Sequence, residues 1–254
     1  MRNLVLTVSF DGTNYAGFQV QKNAVTVQEV LEKTLSKILK EKVRLNSAGR
    51  TDAGVHAVAQ IASFKTKASI PPSALKKGLN TLLPPDIAIQ KVEEAPLSFH
   101  PRYEAVSKWY RYTLRNHPSR SPFDRFYTTY YPYPLDIRAM QKAARALIGK
   151  YDFKSFQAKD KKERSSIRTI RRLSIQKKSP YVFINIEGNG FLYKMVRNIV
   201  GTLIEVGRGK WSPEEMKKIL SQKNRLSAGK TAPARGLCLM GVRYPFKKEY
   251  GLPD

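Results

Sequence analysis

The sequence predicts an α+β fold built of two ferredoxin-like halves with mixed or antiparallel sheets, and three observations predict it. Residues 3–10 alternate apolar and other side chains as a half-buried strand does, whereas residues 27–39 repeat apolar side chains at helical spacing. Such stretches follow one another in the order β-α-β-β-α-β as far as about residue 95. The remainder again mixes strand and helix patterns, although no internal repeat relates it to the first part. At 254 residues the chain accommodates one large or two small domains. The expected division is an N-terminal half, 1–102, and a C-terminal half, 103–254.

Each element has a local cause. The first strand is carried by Leu4, Leu6, Val8 and Phe10 and is broken by Asp11-Gly12-Thr13-Asn14. Thr26 with Glu29 forms a capping-box pattern ahead of Val27, Val30, Leu31, Leu35, Ile38 and Leu39. Strands at 42–48 and 57–65 bracket a loop with two glycines, a helix at 73–82 stops at Pro84-Pro85, and 87–92 is a short strand. In the second half a strand at 103–115 leads into an aromatic, proline-rich loop from Phe123 to Pro134, after which Asp136 caps a helix over 137–148. Strands follow at 167–177 and 181–188, then an apolar helix at 190–206. A helix at 213–222, with Ser212 as cap and Pro213 in its first turn, and a strand at 237–244 complete the pattern.

Composition narrows the classes of function. With 41% hydrophobic and 10% aromatic residues the chain reads as a folded, soluble protein, and no apolar run approaches the ~20 residues of a membrane helix. No apolar core with a small-residue cleavage site follows Met1, so no signal peptide is expected and the expected location is cytoplasmic. A single cysteine, Cys238, and three scattered histidines provide no disulfide and no zinc spacing, so metal chemistry is not expected. Charge is more telling: 46 basic against 20 acidic residues give +26, and residues 1–100, with 13 basic and 8 acidic, hold little of the excess. A polyanionic partner follows from this field, and charge alone does not separate nucleic acid from an anionic membrane surface.

The residues able to carry chemistry cluster at few places. Gly49-Arg50-Thr51-Asp52-Ala53-Gly54 sets a carboxylate between two glycines in a connection between strands. If the loop is extended, Arg50 and Asp52 point to the same side, where the guanidinium favours an ionised carboxylate. Taken by itself, this arrangement is better explained as a turn aspartate in a surface ion pair than as a catalytic one. In the apolar helix expected from Phe191 to Val206, Lys194, Arg197 and Gly201 share one face, and an arginine buried there requires a carboxylate partner.

The string Gly49 to Ala57, GRTDAGVHA, resembles the signature of the TruA family of tRNA pseudouridine synthases. The resemblance continues in order through YAGFQVQ at 15–21, KWYRY at 108–112, SIRTI at 166–170, FLYKMVRNIVG at 191–201 and GLCL at 236–239. Phe99-His100-Pro101-Arg102 departs from it, since alanine more often precedes the arginine in the family. What the resemblance implies is isomerisation of uridine to pseudouridine in the tRNA anticodon stem-loop, at nucleotides 38–40, by a homodimer that uses no metal or cofactor.

Carried over residue by residue, Asp52 is the nucleophile, adding to C1′ or to C6 or promoting a glycal. Arg50 orients it and lines the path of the RNA. Tyr110 stacks on the uracil, and Arg197 meets Asp52 from the other half across a central cleft. Trp109, Tyr112 and Tyr103 are expected to pack, His56 and His100 to structure loops, and Phe18 and Gln19 either to flank the cleft or to pack. The basic run Lys159, Lys161, Lys162, Arg164, Arg168, Arg171 and Arg172 is expected to contact phosphates, with Lys161, Lys162, Arg164 and Arg168 as substrate-binding residues. A non-catalytic RNA-binding protein of the same RRM-like fold is the alternative reading. A basic membrane-surface or ribosome-associated protein would leave the motifs unexplained.

Overall fold

The first strand, β1 (Arg2–Phe10), is buried on both faces: Val5 and Thr7 are covered as well as Leu4, Leu6 and Val8. A computed structural model describing residues 1–159, 165–245 and 249–250 shows why. β1 is an inner strand, antiparallel to β3 (His56–Thr66) on one side and to β4 (Ile87–Ala95) on the other. Two helices complete the expected order. α1 (Val27–Leu39) begins where the Thr26 hydroxyl accepts the Glu29 N–H at 3.4 Å, and α2 (Pro72–Leu82) has proline in its first turn. Leu31 and Leu35 of α1 and Leu75 and Leu79 of α2 are fully buried, as their spacing predicts.

The strand expected at 42–48 shrinks to β2 (Asn46–Ser47), antiparallel to β3. Its missing residues are held by a helix instead: Val43 N donates to Ser36 Oγ at 3.1 Å and Leu45 N to Glu32 Oε1 at 2.8 Å. Side-chain acceptors on α1 have taken donors that a sheet ladder would use.

The chain forms two compact units, Met1–Val106 with the chain from Cys238 onward, and Ser107–Leu237. Where the sequence divided it once, at 102/103, the last strand returns to the first unit. β10 (Leu237–Arg243) lies parallel to β3, with Cys238 opposite His56 and Leu239 opposite Ala57, and β11 (Glu249–Tyr250) pairs with β10. β2 and β10 thus share one edge of β3.

The second unit orders its strands β5-β9-β8-β7, all antiparallel. These are β5 (Ser107–Asn116), β7 (Gly149–Asp152), β8 (Ile167–Lys178) and β9 (Tyr181–Gly188). β6 (Thr129–Tyr131) runs parallel to β5 within the stretch expected to be loop, and β7 was likewise not anticipated. Both are too short for a periodic signal. α3 (Ile137–Arg145) is capped by Asp136, whose Oδ1 accepts the Ala139 N–H at 2.9 Å, and it ends before the expected 148. Tyr112 is fully buried and Trp109 half-buried, but Tyr103, expected to pack, is 78% exposed with its ring over His100. β5 starts at Ser107, so Tyr103 falls in the preceding turn.

α4 (Met195–Gly207) begins later than 190 because Lys194 adopts a left-handed conformation, φ 57°, that closes the turn from Leu192. α5 (Glu215–Gln222) has its first turn tied by Glu215 Oε2, which accepts the Ser212 N–H at 2.6 Å, rather than by a Ser212 side chain. The face of α4 carrying Gly201 is covered by the backbone of residues 229–232: a Cβ on Gly201 would overlap the Lys230 carbonyl oxygen. Exchanging a mid-helix glycine for alanine ordinarily stabilises by about 1 kcal/mol. Gly201→Ala is expected to reverse that sign and destabilise by about 1–3 kcal/mol through overpacking. The urea midpoint measures it, and a wild-type or raised midpoint would refute the contact.

Candidate active site

Asp52 is half-buried in a loop pinned from both sides. Ala48 N donates to Ile61 O at 2.8 Å and Gln60 Nε2 to Gly49 O at 2.8 Å, which fixes the entry on β3. The segment Tyr15–Phe18 runs alongside the tip, with Phe18 N donating to Thr51 O at 3.3 Å and Gly54 N to Tyr15 O at 3.3 Å. The same segment is joined to the start of α1 by Val27 N to Gly17 O (3.3 Å) and Gln28 N to Phe18 O (2.9 Å). Gly17 has φ +94°, and a Cβ there would overlap Thr51 O and come within 3.2 Å of the Asp52 carbonyl carbon. Only glycine permits this approach.

The base of the loop is equally tight. His56 is buried and its Nδ1 accepts the Gly12 N–H at 3.1 Å while lying 3.0 Å from Asp11 Oδ1. A Cβ on Gly12 would overlap Val55 O. Tyr15 donates its hydroxyl to Asp86 Oδ1 at 2.6 Å; burial first and this carboxylate second push the phenol above its ordinary range, so it stays a donor. Phe18 is fully buried, 6.0 Å from Phe10, which makes it a packing residue; Gln19 is half-buried. Arg50 is exposed at the loop. The expected loop roles of the histidines hold: His56 acts as above, and His100 Nδ1 accepts the Arg102 N–H at 3.2 Å.

In the second unit, Tyr110 lies on β5 opposite Ile186 and is buried, its ring edge-on to Phe191 with centroids 5.3 Å apart. The end of β9 is held to β8 by Asn189 N to Thr169 O (3.1 Å) and Thr169 N to Asn189 Oδ1 (2.9 Å), which brings half-buried Arg168 beside Gly190. Phe191, quoted in the motif but given no role, is the residue that sequence reasoning missed here; its place in FLYKMVRNIVG is the signal. Arg197 is half-buried, with Nε donating to Ala232 O at 2.8 Å while Ala232 N donates to Arg197 O at 3.1 Å. The face shared by Lys194, Arg197 and Gly201 is therefore no open stripe, since residues 229–232 lie on it.

Tyr112 is pushed above the ordinary phenol range by burial, against the opposing influence of its Thr129 bond and of Arg197 and Arg235. Its hydroxyl reaches Thr129 Oγ1 at 2.6 Å and Pro233 O at 2.9 Å.

Of the basic run, Lys161, Lys162 and Arg164 lie outside the described residues. A register shift between Ile170 and Arg172 leaves both Arg171 and Arg172 exposed on β8. Among the described residues no group of three or more His, Cys, Asp or Glu side chains could hold a metal ion, and no helix is long and apolar enough to cross a membrane. A cavity of about 410 Å³ lined by Tyr151, Asp152, Lys217, Ser221 and Lys223 contains none of the residues singled out from the sequence.

The sequence profile of a family described as tRNA pseudouridine synthase matches residues 6–104 and 143–245. The chain is 48% identical over 244 residues to a tRNA pseudouridine synthase A of Pelobacter propionicus, covering 96% of this chain and 100% of that one. The same figures describe its similarity to the enzyme of that name from Thermoanaerobacter sp. strain X514. Among solved structures, a Cbf5-Nop10-Gar1 complex is similar with a TM-score of 0.36 and 13% identity, covering 79% of this chain and 45% of that one, so this chain spans less than half of it.

The contact of Gly17 with the Thr51–Ala53 backbone is testable. Gly17→Ala is expected to displace the loop by a fraction of an ångström to an ångström and to lower turnover by about a hundredfold while the protein stays folded. Turnover of a uridine-containing tRNA transcript, with circular dichroism as control, measures this; undiminished turnover would show that the loop does not depend on Gly17.

Proposed function

This chain belongs to the tRNA pseudouridine synthase family and is an isomerase of uridine in tRNA, and on that premise we propose that Asp52 is its nucleophile. The observation that carries the proposal is the Asp52 loop, a GRTDAGVHA string held by the Tyr15–Phe18 segment and by β3. The reaction breaks the N1–C1′ bond, joins C5 to C1′, and moves one proton from C5 to N1, so nothing is gained or lost overall. Such a rearrangement needs one ionised carboxylate at a fixed place and a site that excludes competing water. A half-buried aspartate on a loop hydrogen-bonded from both sides supports the fixed place. Addition to C1′, addition to C6 and assistance of a glycal are all within its reach.

Tyr110 supplies a flat, buried ring, steadied edge-on by Phe191, on which a uracil can stack, and a hydroxyl able to assist proton transfer from C5. On the family resemblance Arg197 is proposed to pair with Asp52, its Nε held by Ala232 so that the orientation of its planar head is restricted. Exposed Arg50 and half-buried Arg168, with Lys161, Lys162 and Arg164, are proposed to neutralise phosphates. Charge supports this, since the chain carries +26. The anticodon stem-loop as the site of modification, a homodimeric assembly, action without added cofactor and a cytoplasmic location are proposed on the family resemblance.

Asp52→Asn keeps the size of the side chain and removes its charge. Pseudouridine formation is expected to vanish while tRNA binding by filter retention stays near wild type; isomerisation at the wild-type rate would overturn the assignment. Arg197→Leu suits the apolar α4 and leaves the carboxylate without its cation. The expected signature is a loss of turnover of at least about a hundredfold with little change in melting temperature. Full activity with early melting would make Arg197 a structural residue.

A further inference from the structure

Next to Arg197 on α4, Asn198 is fully buried and is the centre of a polar cluster within the second unit. Its Nδ2 donates to Phe156 O at 2.7 Å, and its Oδ1 accepts from Thr231 Oγ1 at 2.6 Å and from Arg225 Nη2 at 3.1 Å. Arg225 Nη2 also donates to Thr231 Oγ1 at 3.1 Å, and Nη1 to Ala228 O at 3.2 Å. Thr202, fully buried one turn along the helix, donates to Asn198 O at 2.8 Å and accepts the Gly229 N–H at 2.9 Å. Thr231 and Gly229 are tied to α4 through Asn198 and Thr202, Arg225 links Ala228 and Thr231 to Asn198, and Gly201 and Gly229 let the two backbones meet. Ala232 closes that segment, and its carbonyl holds Arg197 Nε. The geometry points to Arg225 as a positioning residue for the isomerisation: it locks residues 228–232 onto α4, and through the Ala232 carbonyl it fixes the direction in which Arg197 presents its guanidinium.

Arg225 bonds Ala228, Asn198 and Thr231, none of which is assigned a chemical step, so it acts through Arg197 and not on the substrate. Burial lowers its pKa from the ordinary guanidinium value, in keeping with a cation held by neutral acceptors. Lysine cannot reproduce the fork, because one ammonium cannot reach Ala228 O and the Asn198–Thr231 pair in the same planar geometry. The inference rests on the proposed role of Arg197, and its test separates the two.

The test is a double-mutant cycle in single-turnover assays on a tRNA transcript, with Arg225→Lys, Thr231→Val and Arg197→Leu alone and in pairs. Arg225→Lys and Thr231→Val are each expected to lower the chemical rate by about tenfold with substrate affinity changed less than about threefold, and to lower it by less than about twofold further once Arg197 is leucine. Thr231→Val keeps shape and removes one hydroxyl, so it reports even if the Arg225 variant folds poorly. Equal losses in the wild-type and Arg197→Leu backgrounds would overturn the positioning role while leaving Arg197 in the site. Unaltered rates in both single variants, with only a lower melting temperature, would do the same. Full activity of Arg197→Leu itself would overturn both readings.

Discussion

The crossing of the Tyr15–Phe18 segment beneath the Asp52 loop is the contact on which the first unit is arranged. Two carbonyls, of Thr51 and Val55, lie where a side chain at positions 17 and 12 would have to be, so both positions are glycine. That proximity lets Phe18 donate to Thr51 O and Tyr15 O accept from Gly54 N of the loop, and lets the same segment bond forward to Val27 and Gln28. The loop, the end of β1 and the start of α1 are therefore one hydrogen-bonded body. A carboxylate presented from it loses little positional freedom to its own backbone, which is what a nucleophile approaching a single carbon or ring atom requires.

The second unit solves a related problem with polar side chains. Its helix α4 is apolar over most of its surface, yet it buries Asn198 and Thr202 completely. An unpaired buried amide or hydroxyl costs about 1–3 kcal/mol, and here each has partners on the segment that follows α5. Such groups specify one docking of that segment where a purely apolar face would accept several. The result is that the carbonyl of Ala232 stands opposite Arg197 Nε, and a long side chain with many rotamers is reduced to few.

Charge works on a longer scale than either contact. An excess of +26, most of it beyond residue 100, favours a polyanion, and the bulge of β8 leaves two successive arginines exposed where a regular strand would turn them to opposite faces. This attraction is blind to sequence and to the identity of the base. Discrimination of uridine has to come from the few side chains around the reacting nucleotide, because a field spread over dozens of residues cannot tell one base from another.

Much of this protein was legible in its sequence because the signals are local. Periodicity and caps placed α1, α2, β1, β3, β8 and β9, and the string around Asp52 with MVRNIVG carries the family resemblance by itself. Elements whose cause lies far away in the chain were not legible. β2 is cut to two residues by acceptors on α1, and β6 and β7 exist only as partners of β5 and β8. β10 joins the first unit because β3 has an edge to offer. Tyr103 and Phe18 show the same division: both are aromatic, and one stands in solvent while the other is sealed in the core. Local pattern states which side chains prefer burial, but the partner that satisfies a backbone donor, or leaves room only for glycine, is chosen when distant segments pack, and that choice belongs to the tertiary structure alone.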